Sequence, residues 1–119
     1  MDTINVANAI EDKIHELDKA KLLLKERGDH KAESSANYDK AIAVTLIGLK
    51  NGKSYTLDGV SIADPPASIM DKLSRGICWK EKLEMEKAEA GYKSLITGIE
   101  ILESQLNGWQ SINRHLSEK

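Results

Sequence analysis

The sequence predicts an all-α protein: an antiparallel hairpin of two long helices, with a short connector helix, that assembles as a helical bundle. The composition is 40% hydrophobic and 30% charged with only 4% aromatic residues, which is typical of long packed helices. Apolar residues recur at spacings of three and four towards both ends of the chain, and turn dipeptides lie in the middle. At 119 residues we expect a single domain, 1–119.

The clearest helical pattern lies at residues 79–117. With position a of a heptad at Met85, every a and d position except Asn113 is apolar, and no Pro interrupts the run. This repeat predicts a long helix packed against another helix. The a positions are Met85, Tyr92, Ile99, Leu106 and Asn113, and the d positions are Ala88, Leu95, Leu102, Trp109 and Leu116.

The N-terminal part shows the same pattern less regularly. Asp2 or Thr3 is suited to cap a helix start. The inward positions are predicted to be Ala7, Ile10, Ile14, Leu17 and Leu24, followed after a polar stretch by Tyr38, Ile42 and Leu49. Because the phase is preserved across residues 25–37, we predict one helix over about residues 3–50; two helices with a hinge at 25–37 are the alternative.

The connector, residues 51–77, contains the turn dipeptides Asn51-Gly52 and Asp58-Gly59. In one interpretation the segment 54–57 is extended and pairs with 60–62 as a small β-hairpin. In the other, 44–49 is a strand that pairs with 53–57. A short helix is predicted over 65–75, with Asp64 as N-cap, Pro65 at the first helical position and Gly76 as C-cap.

Charge and hydropathy exclude several classes of protein. The net charge is -2, and residues 1–37, 38–78 and 79–119 carry about -2, +1 and -1, so no basic face for nucleic acid is evident. No apolar run reaches the roughly 18 residues that a membrane span needs. The N-terminus lacks the pattern of a signal peptide, and the lone Cys78 favours a reducing compartment. We expect a cytoplasmic protein.

No catalytic constellation is present, and we predict a protein that is not an enzyme and needs no cofactor or metal. His15, His30 and His115 do not stand at the spacing of metal ligands. Cys78 lies at the start of a long helix, where a thiol can be activated, but no base accompanies it. A buried core residue is the favoured interpretation of Cys78.

Surplus apolar residues on the last helix predict a partner. Ile96, Ile101 and Ile112 lie outside positions a and d, and large exposed apolar patches mark interaction sites. We therefore predict a homo-oligomer, most simply a dimer forming a four-helix bundle. A second candidate partner surface is formed by residue types common in binding hot spots near the helix end, namely Trp109, Gln110, Asn113 and Arg114.

Two further candidate sites have alternative interpretations. Gly91 and Gly98 lie seven residues apart beside Tyr92, so they line one helix edge that permits close helix packing or the approach of a small ligand. Around the connector, Lys50, Lys53, Lys72 and Arg75 form the best basic cluster for contact with DNA.

The stretches 83–93 and 106–116, together with the helix start Asp64-Pro65-Pro66, resemble small helical proteins from early regions of phages and prophages of Gram-positive bacteria. This resemblance implies a phage context and a host-cell cytoplasmic location, in which such proteins often inhibit host defence or nuclease complexes. We therefore expect non-enzymatic binding of a host or phage protein. The alternatives are an accessory of DNA recombination or replication, and a nucleotide sponge or sensor with ligand sites between subunits.

Overall fold

The computed structural model describes residues 2–118 and confirms the predicted all-α hairpin with a short connector helix and a small β-hairpin, while assembly as a helical bundle stays a prediction. Two long helices, α1 (Thr3–Lys50) and α3 (Trp79–Ser117), pack against each other in antiparallel orientation. Between them lie strands β1 (Tyr55–Leu57) and β2 (Val60–Ile62) and the short helix α2 (Ala67–Ile77). The chain divides into two compact units: an end unit, Met1–Gly28 with Ala90–Lys119, and a connector unit, Asp29–Glu89.

Helix α1 begins at a side-chain cap and passes through residues 25–37 without a break. An oxygen of the Asp2 carboxylate accepts a hydrogen bond of 2.8 Å from the backbone N–H of Asn5, which satisfies one of the free donors of the first turn. The segment 25–37 is helical throughout, so the hinge alternative is wrong. The helical phase that carries across this polar stretch was therefore the informative signal.

The inner face of α1 in the end unit differs from the predicted one. Val6 is buried and Lys13 is half-buried, whereas Ala7 and Ile14 are exposed. This arrangement buries a larger apolar side chain than Ala7 and leaves Lys21 in water. A long aliphatic stem lets a lysine occupy such a position with its charge in water, and the Lys13 ammonium group lies 3.5 Å from the Glu16 carboxylate.

Helix α1 ends in a Schellman motif around Gly52. The N–H of Lys53 donates to the carbonyl of Gly48, the N–H of Gly52 donates to the carbonyl of Leu49, and Gly52 has φ of 83°. A left-handed residue after the last turn is the conformation that glycine adopts without steric cost. The helix thus extends through 44–49, and the strand alternative for that segment is wrong.

The connector forms the first of the two predicted hairpins. Strands β1 and β2 pair antiparallel with Tyr55 opposite Ile62 and Leu57 opposite Val60. The two turn residues, Asp58 and Gly59, both have positive φ, 49° and 78°. That is the conformation of the two-residue type I′ turn, for which Asp-Gly is a preferred pair.

Helix α2 starts and ends later than the predicted 65–75. It spans Ala67–Ile77, and its N-cap residue is Pro66 rather than Asp64. Pro65 is followed by another proline, which disfavours a helical ψ at Pro65, and Asp64 adopts φ of 44°. At the other end Gly76 lies inside the helix, and Cys78 is the C-cap.

Helix α3 agrees with its predicted heptad. All ten a and d positions from Met85 to Leu116 are buried or half-buried. Cys78 is the single residue between α2 and α3. Its N–H donates to the carbonyl of Ser74 in α2, and its carbonyl accepts from the N–H of Lys82 in α3. The short connection therefore leaves few backbone groups without a partner in the chain.

The buried residues are distributed unequally between the units. In the end unit the residues classed as buried are Val6, Leu17 and Ile99. In the connector unit they are Ser34, Tyr38, Thr45, Leu49, Ser74, Cys78 and Ala88. The polar members of this second set are accommodated by hydrogen bonds such as Ser74 Oγ to the carbonyl of Met70, 2.8 Å.

Candidate docking surface

One side of α3 in the end unit carries no charged residue, although 30% of the whole chain is charged. Between residues 90 and 112 the charged residues are Lys93, Glu100 and Glu103: Lys93 and Glu100 border this side of the helix, next to Thr97 and Ser104, and Glu103 lies on the other side. We call this side the uncharged face. It consists of Ala90, Gly91, Ser94, Thr97, Gly98, Ile101, Ser104, Gln105, Gly108 and Ile112.

The centre of the uncharged face is a second 3-4 repeat on α3, displaced from the one that packs on α1. Its positions are Gly91, Ser94, Gly98, Ile101, Gln105, Gly108 and Ile112. Successive members of such a repeat lie above one another along a helix. Helix α3 therefore has two 3-4 repeats, one that packs against α1 and one that has the pattern of a second packing surface.

The face is accessible in the chain. Its members are exposed except for Gly91 and Gly98, which are half-buried. Ile101 is 54% exposed and Ile112 is 40% exposed. Their aliphatic side chains therefore contact water, which is unfavourable by about 25 cal/mol per Å² of apolar surface relative to burial.

Packing within the chain does not account for the glycines of the face. A Cβ atom added at Gly98 or Gly108 would meet nothing within 4 Å, and one added at Gly91 would meet only the Arg27 side chain, at 3.5 Å. Each glycine in a helix interior costs about 1 kcal/mol relative to alanine. Contact with another molecule that needs close backbone approach would explain why this cost is tolerated.

The exposed side of α1 in the same unit is mixed: it carries charged residues and also the exposed apolar side chains of Ile4 and Leu22. Glu11, Asp12, His15 and Glu16 line an open groove there. Such charged residues are well solvated and are depleted in the centres of protein interfaces. The end unit thus exposes charged and apolar side chains on α1, and mostly small and apolar side chains on the uncharged face of α3.

The predicted partner residues at the C-terminal end of α3 do not form one surface. Ile101 and Ile112 lie on the uncharged face, whereas Ile96, Trp109 and Asn113 are half-buried. Trp109 and Asn113 occupy the inner d and a positions that were assigned from the heptad. Gln110 and Arg114 are exposed, and Arg114 lines a polar groove with Ser111, His115 and Glu118.

The glycine edge proposed for close packing or a ligand is partly occupied by Arg27. The guanidinium Nη1 of Arg27 donates a hydrogen bond of 3.1 Å to the backbone carbonyl of Gly91. Tyr92 packs beside Gly28, where an added Cβ would lie 3.4 Å from its ring. Gly98, in contrast, faces open space, so the two glycines have different surroundings.

Two members of the candidate basic cluster are engaged within the connector unit. The guanidinium of Arg75 lies 3.2 Å from the Asp71 carboxylate, and the ammonium of Lys53 lies 5.0 Å from the centre of the Tyr55 ring. Lys50 and Lys72 are exposed. A paired guanidinium has a weaker field for attracting a phosphate than a free one has.

The histidines and the cysteine have ordinary structural surroundings. Nε2 of His30 lies 3.0 Å from Oε1 of Glu84, an exposed pair, while His15 and His115 are exposed. Sγ of Cys78 is buried and lies 3.3 Å from Oγ1 of Thr45. Within residues 2–118, no three His, Cys, Asp or Glu side chains are arranged to hold a metal ion.

The sequence pattern that defines the uncharged face is present in α3, but only four of its residues were predicted from the sequence. Ile101, Ile112, Gly91 and Gly98 were predicted separately, as apolar surplus and as a glycine edge. The signal that joins them is the absence of charge at every position of the second 3-4 repeat, from Gly91 to Ile112. A test of each outward helix stripe for charge, in addition to apolar residues, would have identified the whole face.

None of the described helices is long and apolar enough to cross a membrane. Comparison with protein-family models, with curated proteins and with solved structures gave no match to this chain.

Proposed function

We propose that this chain is a non-enzymatic protein that acts by binding another protein chain through the uncharged face of α3. The observation that carries the proposal is the combination of exposed isoleucines and unexplained glycines on a face without charge. Burial of Ile101 and Ile112 would supply hydrophobic free energy, and the small residues around them would let a partner helix approach closely.

In the phage context that the sequence resemblance implies, the partner would be a host or phage protein, and inhibition of a host defence or nuclease complex is the concrete form of the proposal. Inhibitors of this kind need no catalytic group, because occupying a surface is sufficient for their effect. A helix face is a common docking element, since its side chains at spacings of three and four fill a groove.

The proposal is tested by photo-crosslinking in cells that express the full chain. A photoreactive amino acid replaces Ser104, an exposed member of the face, and in a matched control it replaces Lys19, an exposed residue of α1 in the same unit. We expect discrete crosslinked products from position 104, with the partner identified by mass spectrometry, and none of these products from position 19. Equal products from both positions, or none from 104, would contradict the proposal.

The two alternative functions have less support. Contact with DNA through the basic cluster is opposed by the Arg75–Asp71 pair and by the net charge of -2. A nucleotide site at the glycine edge would need several donors aimed at phosphate, and the one donor group placed there is the Arg27 guanidinium, one N–H of which donates to the Gly91 carbonyl. Salt-dependent DNA binding lost on Lys50→Ala and Lys53→Ala, or a thermal shift with nucleotides, would restore these alternatives.

A further inference from the structure

We infer that an open groove of the connector unit, between α1 and α3, binds the guanidinium group of a small organic cation or of an arginine side chain. This groove is separate from the uncharged face, so the inference goes beyond the proposed function. It rests on the lining of the groove, on a buried hydroxyl group without a partner and on the carboxylates beside that hydroxyl group.

The groove is lined by polar residues from both long helices. Ser34 and Asn37 of α1 lie three residues apart, as do Glu81 and Glu84 of α3, so each pair lies on one side of its helix. Lys80 completes the lining, and all five residues belong to the connector unit. The volume of about 200 Å³ is smaller than the roughly 300–1,000 Å³ of sites for drug-sized ligands, so the groove suits a small group.

The hydroxyl group of Ser34 is buried at this groove without a partner. Ser34 is only 4% exposed, yet its Oγ forms no hydrogen bond with any residue in the part of the chain that the structure describes. Other helical hydroxyl groups donate to the carbonyl four residues back, as Ser74 Oγ does at 2.8 Å. No unpaired side-chain oxygen within residues 2–118 is sealed from solvent, so Ser34 Oγ opens to the groove. A buried hydroxyl group of this kind calls for a ligand or a water molecule.

The carboxylates of Glu81 and Glu84 give the groove negative charge. Glu81 is half-buried and forms no ion pair among the described residues. Glu84 binds His30 Nε2 through Oε1, at 3.0 Å, and its other oxygen has no partner in residues 2–118. Lys80 stands at the spacing of a helical ion pair with Glu84, but its ammonium lies near the Trp79 ring, 5.7 Å from the ring centre. Acceptors in the groove therefore outnumber the donors that could satisfy them.

A guanidinium group matches this lining. Ionised carboxylates only accept hydrogen bonds, and the Ser34 hydroxyl and the Asn37 amide each offer an acceptor as well. The planar guanidinium carries several N–H donors in a fork that fits a carboxylate, so it can pair with Glu81 while donating to Ser34 Oγ. An anion would be repelled by the two carboxylates, and an apolar group would leave the hydroxyl unpaired.

NMR titration of the full chain with ethylguanidinium chloride tests the site, with sodium chloride as the control for ionic strength. We expect saturable shifts of backbone amide signals confined to residues 33–38 and 79–85, with a dissociation constant of roughly 1–10 mM for so small a ligand. Tetramethylammonium has the charge but no N–H donor, and it should bind at least about tenfold more weakly. Equal binding of the two cations, or shifts spread over all exposed carboxylates, would overturn the inference.

Two carboxylate-to-amide variants separate the groove from general surface charge. Glu81→Gln should weaken ethylguanidinium binding at least about fivefold, because it removes the charge and keeps the shape. The matched control Asp39→Asn removes one charge from an exposed residue of α1 in the same unit and should change binding by less than about 1.5-fold. Ser34→Ala, which deletes the buried hydroxyl, should weaken binding about two- to fivefold. Equal effects of Glu81→Gln and Asp39→Asn would refute the site.

Two further ligands distinguish the sources of the guanidinium group. Free arginine presents it on a small molecule, and its carboxylate can also pair with the Lys80 ammonium. Arginine with an acetylated amino group and a methylamide in place of its carboxyl group presents it as a protein side chain does. Tighter binding of free arginine would assign the groove to a small molecule, and tighter binding of the capped form would assign it to a partner protein. Binding of neither would overturn the inference.

Discussion

At the scale of single residues, two helical glycines differ in the space around them. Gly98 faces open space, whereas a Cβ atom added at Gly48 would collide with the Tyr55 hydroxyl group. Both lie within helices, Gly48 in the last turn of α1 and Gly98 in the middle of α3, and helix propensity disfavours a glycine at each. The difference depends on where the hairpin places Tyr55, which is a tertiary contact that the helical pattern does not contain.

The glycine contrast predicts opposite stability changes. Gly98→Ala should raise the free energy of unfolding by about 0.5–1 kcal/mol, measured by urea denaturation at a concentration where the protein is monomeric. Gly48→Ala should lower it by about 1 kcal/mol, because displacement of the Tyr55 ring outweighs the gain in helix propensity. If the collision is the cause, Tyr55→Phe should remove part of that loss.

The Cys78 thiol should be protected in the folded chain. Its residue is only 3% exposed, and its sulfur lies against Thr45. We expect a thiol reagent to react with Cys78 more than about 100-fold more slowly than in denaturant, because reaction requires transient opening. Ser104→Cys in the Cys78→Ser background supplies the exposed control; a similarly fast reaction of Cys78 would show that the residue is accessible.

At the scale of elements, sequence patterns predicted which segments form helices more accurately than where the short helix α2 begins and ends. The heptad of α3 was predicted completely because each a and d residue acts locally on one periodic face. The predicted start of α2 was wrong because Pro66 disfavours a helical ψ at Pro65, and this effect outweighs the preference of Asp64 for an N-cap position. The inner face of the N-terminal part of α1 differs from the predicted face because Val6, and not its neighbour Ala7, is buried. The sequence offers both residues for the inner face, and only packing against α3 decides between them.

Substitution of a buried residue at the C-terminal end of α1 should lower the stability of the protein more than substitution of an exposed residue of the same helix. Leu49 is 1% exposed in the connector unit, so Leu49→Ala should destabilise the protein by about 2–5 kcal/mol through lost burial and a cavity. Leu22→Ala, at a position 75% exposed, should change stability by less than about 0.5 kcal/mol. Thermal unfolding of both variants checks this, and similar shifts would mean that Leu49 is not a core residue.

At the scale of the whole molecule, the two units differ in how many of their residues are buried. Most of the buried residues belong to the connector unit, while the end unit leaves Ile4, Ile14, Leu22 and the isoleucines of the uncharged face in water. The sequence predicted a single domain, and that remains a prediction. It did not predict unequal cores, because apolar residues recur at spacings of three and four towards both ends of the chain and only the structure shows how deeply each position is buried.

This inequality predicts different opening free energies. Native-state hydrogen exchange should find amides at 5–25 and 95–115 opening at lower free energy than amides at 35–49 and 70–88. If the predicted homo-oligomer buries the exposed apolar residues of the end unit, protection there should also rise with protein concentration. Uniform protection along α1 and α3 would contradict the first expectation, and protection independent of concentration would contradict the second.

The division into units also bears on folding during synthesis. The connector unit is one continuous segment, whereas the end unit joins residues near the start of the chain to residues beyond position 90. At about 5–20 residues per second, the first part of α1 would wait roughly 3–18 s for its partner segment to leave the ribosome. During that interval its apolar residues would have no native partner from their own chain, which makes the nascent N-terminal segment a natural substrate for chaperones.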